Sequence, residues 1–163
     1  MAIQFNNTDA VLEQLAGTGA FLTVGNGDNA NVMTIGWGFM GVMWYKRVCI
    51  VPVRESRHTK KILDKADSFT VSVPLDGVLK KELAYCGSHS GRDGNKFEAC
   101  GLKTVPASAV DSLLIDGCQK YYECKLICKL PLKNVELPDE IINYAYKTND
   151  YHVLYLGEIV AEK

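Results

Sequence analysis

The chain has 163 residues, room for about one domain. Hydrophobic residues make up 47% and charged residues 23%, with only 14 Gly and 5 Pro, which excludes a disordered or collagen-like chain and leaves apolar material for a core that needs no disulfide or metal staple. Lys plus Arg total 18 against 19 Asp plus Glu, so at a net charge of −1 nothing draws the whole surface to nucleic acid or an anionic membrane.

Thr8 is placed to cap a first helix, along which Val11, Leu12, Leu15 and Ala16 recur at helical spacing before Gly17 and Gly19 end it. Phe21 to Val24 reads as a strand and Gly25-Asn26-Gly27-Asp28-Asn29 as a hairpin turn, since Gly and Asn tolerate positive φ. Asn31 to Phe39 is the expected return strand. After a glycine-broken bend, Arg47 to Val53 is the next, rich in β-branched residues. A helix over Ser56 to Ala66 follows, then a strand over Ser68 to Val73 and a helix over Gly77 to Tyr85. Cys86 to Asn95 is a turn-rich loop leading to a short helix at Lys96 to Cys100. Leu113 to Ile115, Gln119 to Leu130 and Tyr151 to Val160 complete the strands. No repeat, linker or low-complexity segment interrupts residues 1–163, which are expected to form one domain. Short turns between most strands favour an antiparallel sheet closed into a barrel with short helices outside. The last strand is apolar on both faces, so a helix or a second subunit must cover its outer side, and a homodimer is expected.

The start of the chain has neither a basic segment nor an apolar stretch after it, and the uncharged run from Asn29 to Tyr45 is broken by glycines. A cytoplasmic protein with reduced thiols, no membrane span and no nucleic-acid partner is the expectation. The six cysteines form no CxxC pair and no zinc spacing, and Cys124 and Cys128 share the core face of their strand with Tyr122, Leu126 and Leu130, while Glu123, Lys125 and Lys129 face away. No metal site is therefore expected. Gly36-Trp37-Gly38-Phe39-Met40-Gly41 matches GxGxxG, but too few residues follow for a crossover helix, which excludes the dinucleotide fold. Gly87-Ser88-His89-Ser90-Gly91 lacks a serine at the centre required of a nucleophile elbow.

Arg54-Glu55-Ser56-Arg57-His58-Thr59-Lys60-Lys61 concentrates cations at a helix start, where the backbone already carries partial positive charge. Ser56 sits at the N-cap position. Hydroxyls, free N–H groups and an Arg there make a phosphate cradle, or else a solvated basic helix end with Glu55 as partial compensation. The loop from Gly87 to Phe97 joins glycines and hydroxyls to Arg92 and Lys96, as a polar or phosphorylated ligand needs; as a plain surface loop it would use Asp93 to cap the next helix.

Taken in order, Asn31-Val32-Met33-Thr34-Ile35-Gly36-Trp37-Gly38, then Arg54-x-Ser56-x-x-Thr59, then Gly87-Ser88-x-Ser90-Gly91-Arg92-Asp93-x-x-Lys96-Phe97, and the ending Asp150 to Val160 resemble the flavin reductase-like family of FMN-binding split barrels, to which flavoredoxins belong. The resemblance implies a six-stranded antiparallel Greek-key split barrel with short peripheral helices, a homodimer, and FMN near the subunit interface. It places Met33, Thr34, Ile35, Gly36 and Trp37 along the isoalloxazine, and Val53 and Arg54 beside the flavin and ribityl chain. Ser56, Arg57 and Thr59 fall at the phosphate, and Ser88, Ser90, Gly91 and Lys96 on the ribityl–phosphate side. The implied activity is hydride transfer from NAD(P)H to flavin N5, with no obligatory acid or base. His152 is either a nicotinamide-side contact or a hydrogen-bonded histidine at a strand end. An FMN electron carrier reduced by a redox protein partner, and a ligand-binding barrel without flavin chemistry, are the competing readings. The bulky run Trp37, Phe39, Met40, Met43, Trp44 and Tyr45 departs from the small residues of reductases that exchange flavin, and suggests FMN held as a prosthetic group.

Overall fold

The structure is a computed structural model that describes residues 3–163. Helix α1 spans Thr8–Ala16 and buries Val11 and Leu15. Its N-cap is Asn7 and makes no side-chain cap bond, while the Thr8 hydroxyl is buried without a partner among the described residues, so Thr8 is not the expected cap. Strand β1 (Ala20–Val24) is buried at all five positions and pairs antiparallel with β2 (Asn31–Ile35) across the predicted turn.

Beyond β2 the expected long strand is two. The chain breaks at Gly36-Trp37-Gly38 and resumes as β3 (Phe39–Met43), which folds back onto β4 (Lys46–Arg54). The turn between them consists of Trp44 and Tyr45 at φ 53° and 57°. Both central residues of the tightest hairpin turn need positive φ, so the aromatic pair adopts a backbone usually left to Gly and Asn. A side chain at position 38 would meet the Leu15 side chain at 3.3 Å and the Ile50 carbonyl at 3.4 Å, so the step from β2 to β3 has little room for anything larger than Gly38.

Helix α2 (His58–Leu63) is shorter than expected and starts after Arg57, not Ser56. Strand β5 (Ser68–Val73) is buried throughout. Helices α3 (Lys80–Ser88) and α4 (Lys96–Cys100) follow, the latter capped by Asn95, whose side chain accepts from the N–H groups of Phe97 and Glu98; Asp93 is not the cap. Short strands β6 (Thr104–Pro106) and β7 (Leu113–Ile115) pair with each other, and β8 (Lys120–Pro131), α5 (Asp139–Ala145) and β9 (His152–Glu162) complete the chain.

The main sheet is antiparallel and runs β2-β1-β5-β8-β9-β4-β3. This corrects the expectation of a closed six-stranded barrel: seven strands form the sheet and it stays open. The physical reason is the break after β2. Edge strands β2 and β3 are consecutive in the chain, yet the glycine-flanked step separates them and no ladder joins them. Inside the curl, Leu22, Met33, Val51, Val53, Phe69, Tyr122 and Tyr155 pack with α1, each large side chain contributing roughly 1.5–3 kcal/mol by leaving water. A second layer outside packs Phe21 and Val32 against Leu83, Cys86 and Ile115. The β8 alternation holds with two exceptions, because Glu123 is fully buried and Leu130, expected on the core face, is exposed. All six cysteines are free. No helix among the described residues is long and apolar enough to cross a membrane.

Candidate functional site

Four segments converge outside the open side of the sheet. The end of β2 and the step after it bring Met33 to Trp37, β4 brings Pro52 and Arg54, the following turn brings Arg57, and the first residue of β9 is His152; together they line a cavity of about 230 Å³. Alternation along β4 explains which side chains arrive. Pro52 and Arg54 share the outer face, while Val53 points into the core and is fully buried, so Val53 is not the side chain beside the site. Pro52 was legible from that alternation alone.

Gly36, Trp37 and Pro52 also border an adjoining apolar groove of about 600 Å³ walled by Leu15, Phe39, Leu132, Tyr146 and Leu154. One end of the composite cleft is thus apolar and the other carries Arg54, Arg57 and the Thr34 hydroxyl. That hydroxyl donates to the Leu83 carbonyl at 2.6 Å and ties β2 to α3.

Arg57 is half-buried. It donates to the carbonyls of Gly87 at 2.7 Å and Cys86 at 3.1 Å, and burial lowers its pKa against the pull of Cys86 and Asp150. Five N–H donors are available on a guanidinium, so these two bonds leave others for a ligand. Arg54 donates to the carbonyls of Ala145 at 3.1 Å and Asp150 at 2.6 Å. His152 is buried, its Nδ1 is 2.9 Å from the Tyr146 hydroxyl and its ring 5.0 Å from that of Trp37. Burial, then the positive charge of Arg54, pushes its pKa down to about 4, so it is neutral above pH 5.

The remaining expected contacts are engaged elsewhere. The Ser56 hydroxyl donates to Asp150 Oδ2 at 2.6 Å and its N–H to Oδ1 at 3.0 Å, so a carboxylate of the same chain already sits where a phosphate was expected. Thr59 is buried and accepts a bond from the Asn31 amide at 2.7 Å, which removes it from a ligand's reach. The Ser88 hydroxyl donates back to the Ala84 carbonyl at 2.8 Å, and Ser90 accepts from the Arg92 N–H at 3.2 Å. Lys96 is 3% exposed and donates to the carbonyls of Cys86 and His89, each at 3.3 Å; burial pushes its pKa down to about 8. It serves the end of α3 rather than the cleft. Gly91 lies against the Asn31 amide and the His58 ring, where a Cβ would collide with both. Gly91 and Lys96 instead border a separate polar basin of about 1040 Å³ between the turn after β1 and α2, shared with His58 and Lys61. The buried His58 Nδ1 there has no partner among the described residues. Pro52, Leu132, Tyr146, Asp150 and Leu154 are side chains at the site that the sequence did not single out.

A sequence profile of the flavin reductase like domain matches residues 12–163. An uncharacterized protein of Archaeoglobus fulgidus is 29% identical over 150 residues, spanning 92% of this chain and 74% of its own. Among solved structures, flavoredoxin of Desulfovibrio vulgaris (Miyazaki F) superposes with a TM-score of 0.69 at 23% identity, covering 88% of this chain and 67% of that one. An NADH:FAD oxidoreductase of Streptomyces globisporus gives 0.67 at 21% identity over 100% of this chain and 87% of its own. The structural likenesses establish a common fold.

Proposed function

The chain belongs to the flavin reductase-like family, and on that premise we propose that it is a homodimeric FMN-binding oxidoreductase that takes electrons from NAD(P)H. The observation that carries the reading is the composite cleft, apolar along Phe39, Leu132 and Leu154 and cationic at Arg54 and Arg57. A planar apolar ring with an anionic tail is the ligand chemistry such a cleft accepts. The donor set fits the group: Arg57 keeps unspent N–H donors, and Gly36 presents backbone without a side chain to the cavity. Met33 to Trp37 and Pro52 would hold the ring, and Arg54 and Arg57 the phosphate-bearing end. When bound, FMN supplies hydride acceptance at N5. The chain's own residues orient the ring, exclude water with Trp37 and Phe39, and keep a neutral His152 at the cavity wall.

The dimer is supported by the unpaired edge of β3 and by the exposure of Phe39, Val42, Met43, Trp44 and Tyr45 beside it. A run of apolar side chains on an open edge is the surface a soluble protein covers. Six free thiols fit a reducing, cytoplasmic setting.

The visible spectrum of the purified protein, taken after soaking in FMN and desalting, tests the reading. Retained flavin bands that bleach anaerobically with NADH or NADPH are the expected result. Bands that bleach only with a redox protein would make the chain a carrier, and a protein that refuses FMN would end the flavin reading.

A further inference from the structure

Tyr146 follows α5 and is 4% exposed. Its ring walls the apolar groove, stacks on Tyr151 with centroids 4.5 Å apart, and lies under the Arg54 guanidinium at 5.6 Å. Arg54 also grips the carbonyls of Ala145 and Asp150, so one cation ties both ends of the connection from α5 to β9. That connection sets the phenol oxygen 2.9 Å from His152 Nδ1.

The direction of the bond follows from what else meets the oxygen. A phenol O–H is the stronger donor of the pair and an imidazole nitrogen the stronger acceptor, so the proton points at Nδ1; the His152 backbone N–H, which acts on the same oxygen, favours that direction too. A neutral imidazole that accepts at Nδ1 carries its proton on Nε2. Nε2 has no protein partner among the described residues, is not sealed from solvent, and belongs to a side chain on the wall of the 230 Å³ cavity. The charged groups around the ring are Arg54 from β4 and Asp150 from the segment before β9.

We infer that Tyr146 is a positioning residue, which locks His152 as a neutral Nε2–H donor facing the cleft between Met33–Trp37 and Arg54. The donor suits a carbonyl oxygen of the bound ring or of the nicotinamide, and it stays uncharged across the neutral pH range. Its consequence for electron transfer rests on the flavin reading above; the lock itself does not.

The two are separated by measuring them separately. In flavin-free protein labelled with 15N-histidine, two-bond 1H–15N correlations report the tautomer. Wild type should show the Nε2–H pattern from pH 5 to 8. Tyr146→Phe keeps the ring against Tyr151 and Arg54 but loses the hydroxyl, so both tautomers should appear, while burial and Arg54 still keep the ring neutral. An Nδ1–H pattern in wild type, or an unchanged pattern in the variant, overturns the lock. With FMN added, the variant should lose affinity for reduced FMN about tenfold more than for oxidised FMN, about 30 mV for a two-electron couple. Equal losses for both forms would reduce Tyr146 to a packing residue. Wild type that binds no FMN would remove the flavin reading, with the tautomer result still deciding the lock.

Discussion

Glu123 and Arg57 are both charges taken out of water, and the fold treats them in opposite ways. The Glu123 side chain is 1% exposed, and both its oxygens are filled. Oε2 accepts from the N–H groups of Ser108 at 2.9 Å and Ala109 at 2.6 Å, and Oε1 from the Ser108 hydroxyl at 2.9 Å and Lys163 at 3.3 Å. Burial alone would raise its pKa, but these bonds outweigh it and hold the carboxyl below its ordinary range. Arg57 spends two of five donors on the end of α3 and stands at the cavity with the rest. A buried charge whose bonding capacity is exhausted by its own chain is scaffold; one with capacity to spare marks where a ligand goes.

Removing the saturated charge should produce the larger stability loss and no loss of ligand. Glu123→Ala leaves the Ser108 and Ala109 N–H groups unpaired, at a cost of roughly 3 kcal/mol in denaturant unfolding, with FMN affinity unchanged. The pH dependence has a definite sign. Because the folded pKa lies below the unfolded value, the carboxylate's contribution is complete above about pH 4.3 and is lost as pH falls through the folded pKa. Unfolding curves of wild type and Glu123→Gln should therefore converge on acidification. A constant gap between pH 6 and pH 3 would show that Glu123 titrates like an exposed carboxyl.

The converse experiment sharpens the distinction. Arg57→Glu removes a charge-assisted donor and adds repulsion, and should weaken FMN binding by roughly 2 kcal/mol, about thirtyfold. Thermal stability should also fall somewhat, since the bonds to Gly87 and Cys86 go with it. Stability lost with FMN affinity intact would place Arg57 in the same class as Glu123.

Much of this contrast was hidden in the sequence, for identifiable reasons. The core strands were legible because β1, β5 and β9 carry dense β-branched and aromatic runs that only burial satisfies. Glu123 read as solvent-facing because alternation put it beside Lys125 and Lys129. Its burial depends on the segment at Ser108 and Ala109, 15 and 14 residues away, folding over it. Strand β3 was missed because three glycines between positions 36 and 41 read as a bend, and because Trp44 and Tyr45 are unlikely occupants of a positive-φ turn. At the cleft, the segment Met33 to Trp37, Arg54, Arg57 and His152 line one cavity. Thr59, Val53 and Lys96 do not, since strand parity and helix phase turned their side chains inward.

Ser56 lies between the two classes. Its N–H and hydroxyl both go to Asp150, yet Ser56 is exposed and its partner is a side-chain anion rather than backbone. If the pair is structural, Ser56→Ala costs about 1 kcal/mol in unfolding and nothing in FMN affinity. If the Asp150 carboxylate instead stands where the phosphate settles, Ser56→Ala weakens FMN binding several-fold and Asp150→Asn strengthens it, because a competing negative charge is gone. We expect the second pattern, given that Arg57 approaches the same carboxylate closely enough to feel its charge. Titrating FMN into both variants by fluorescence quenching decides it: Asp150→Asn binding more weakly than wild type would return Ser56 and Asp150 to the scaffold.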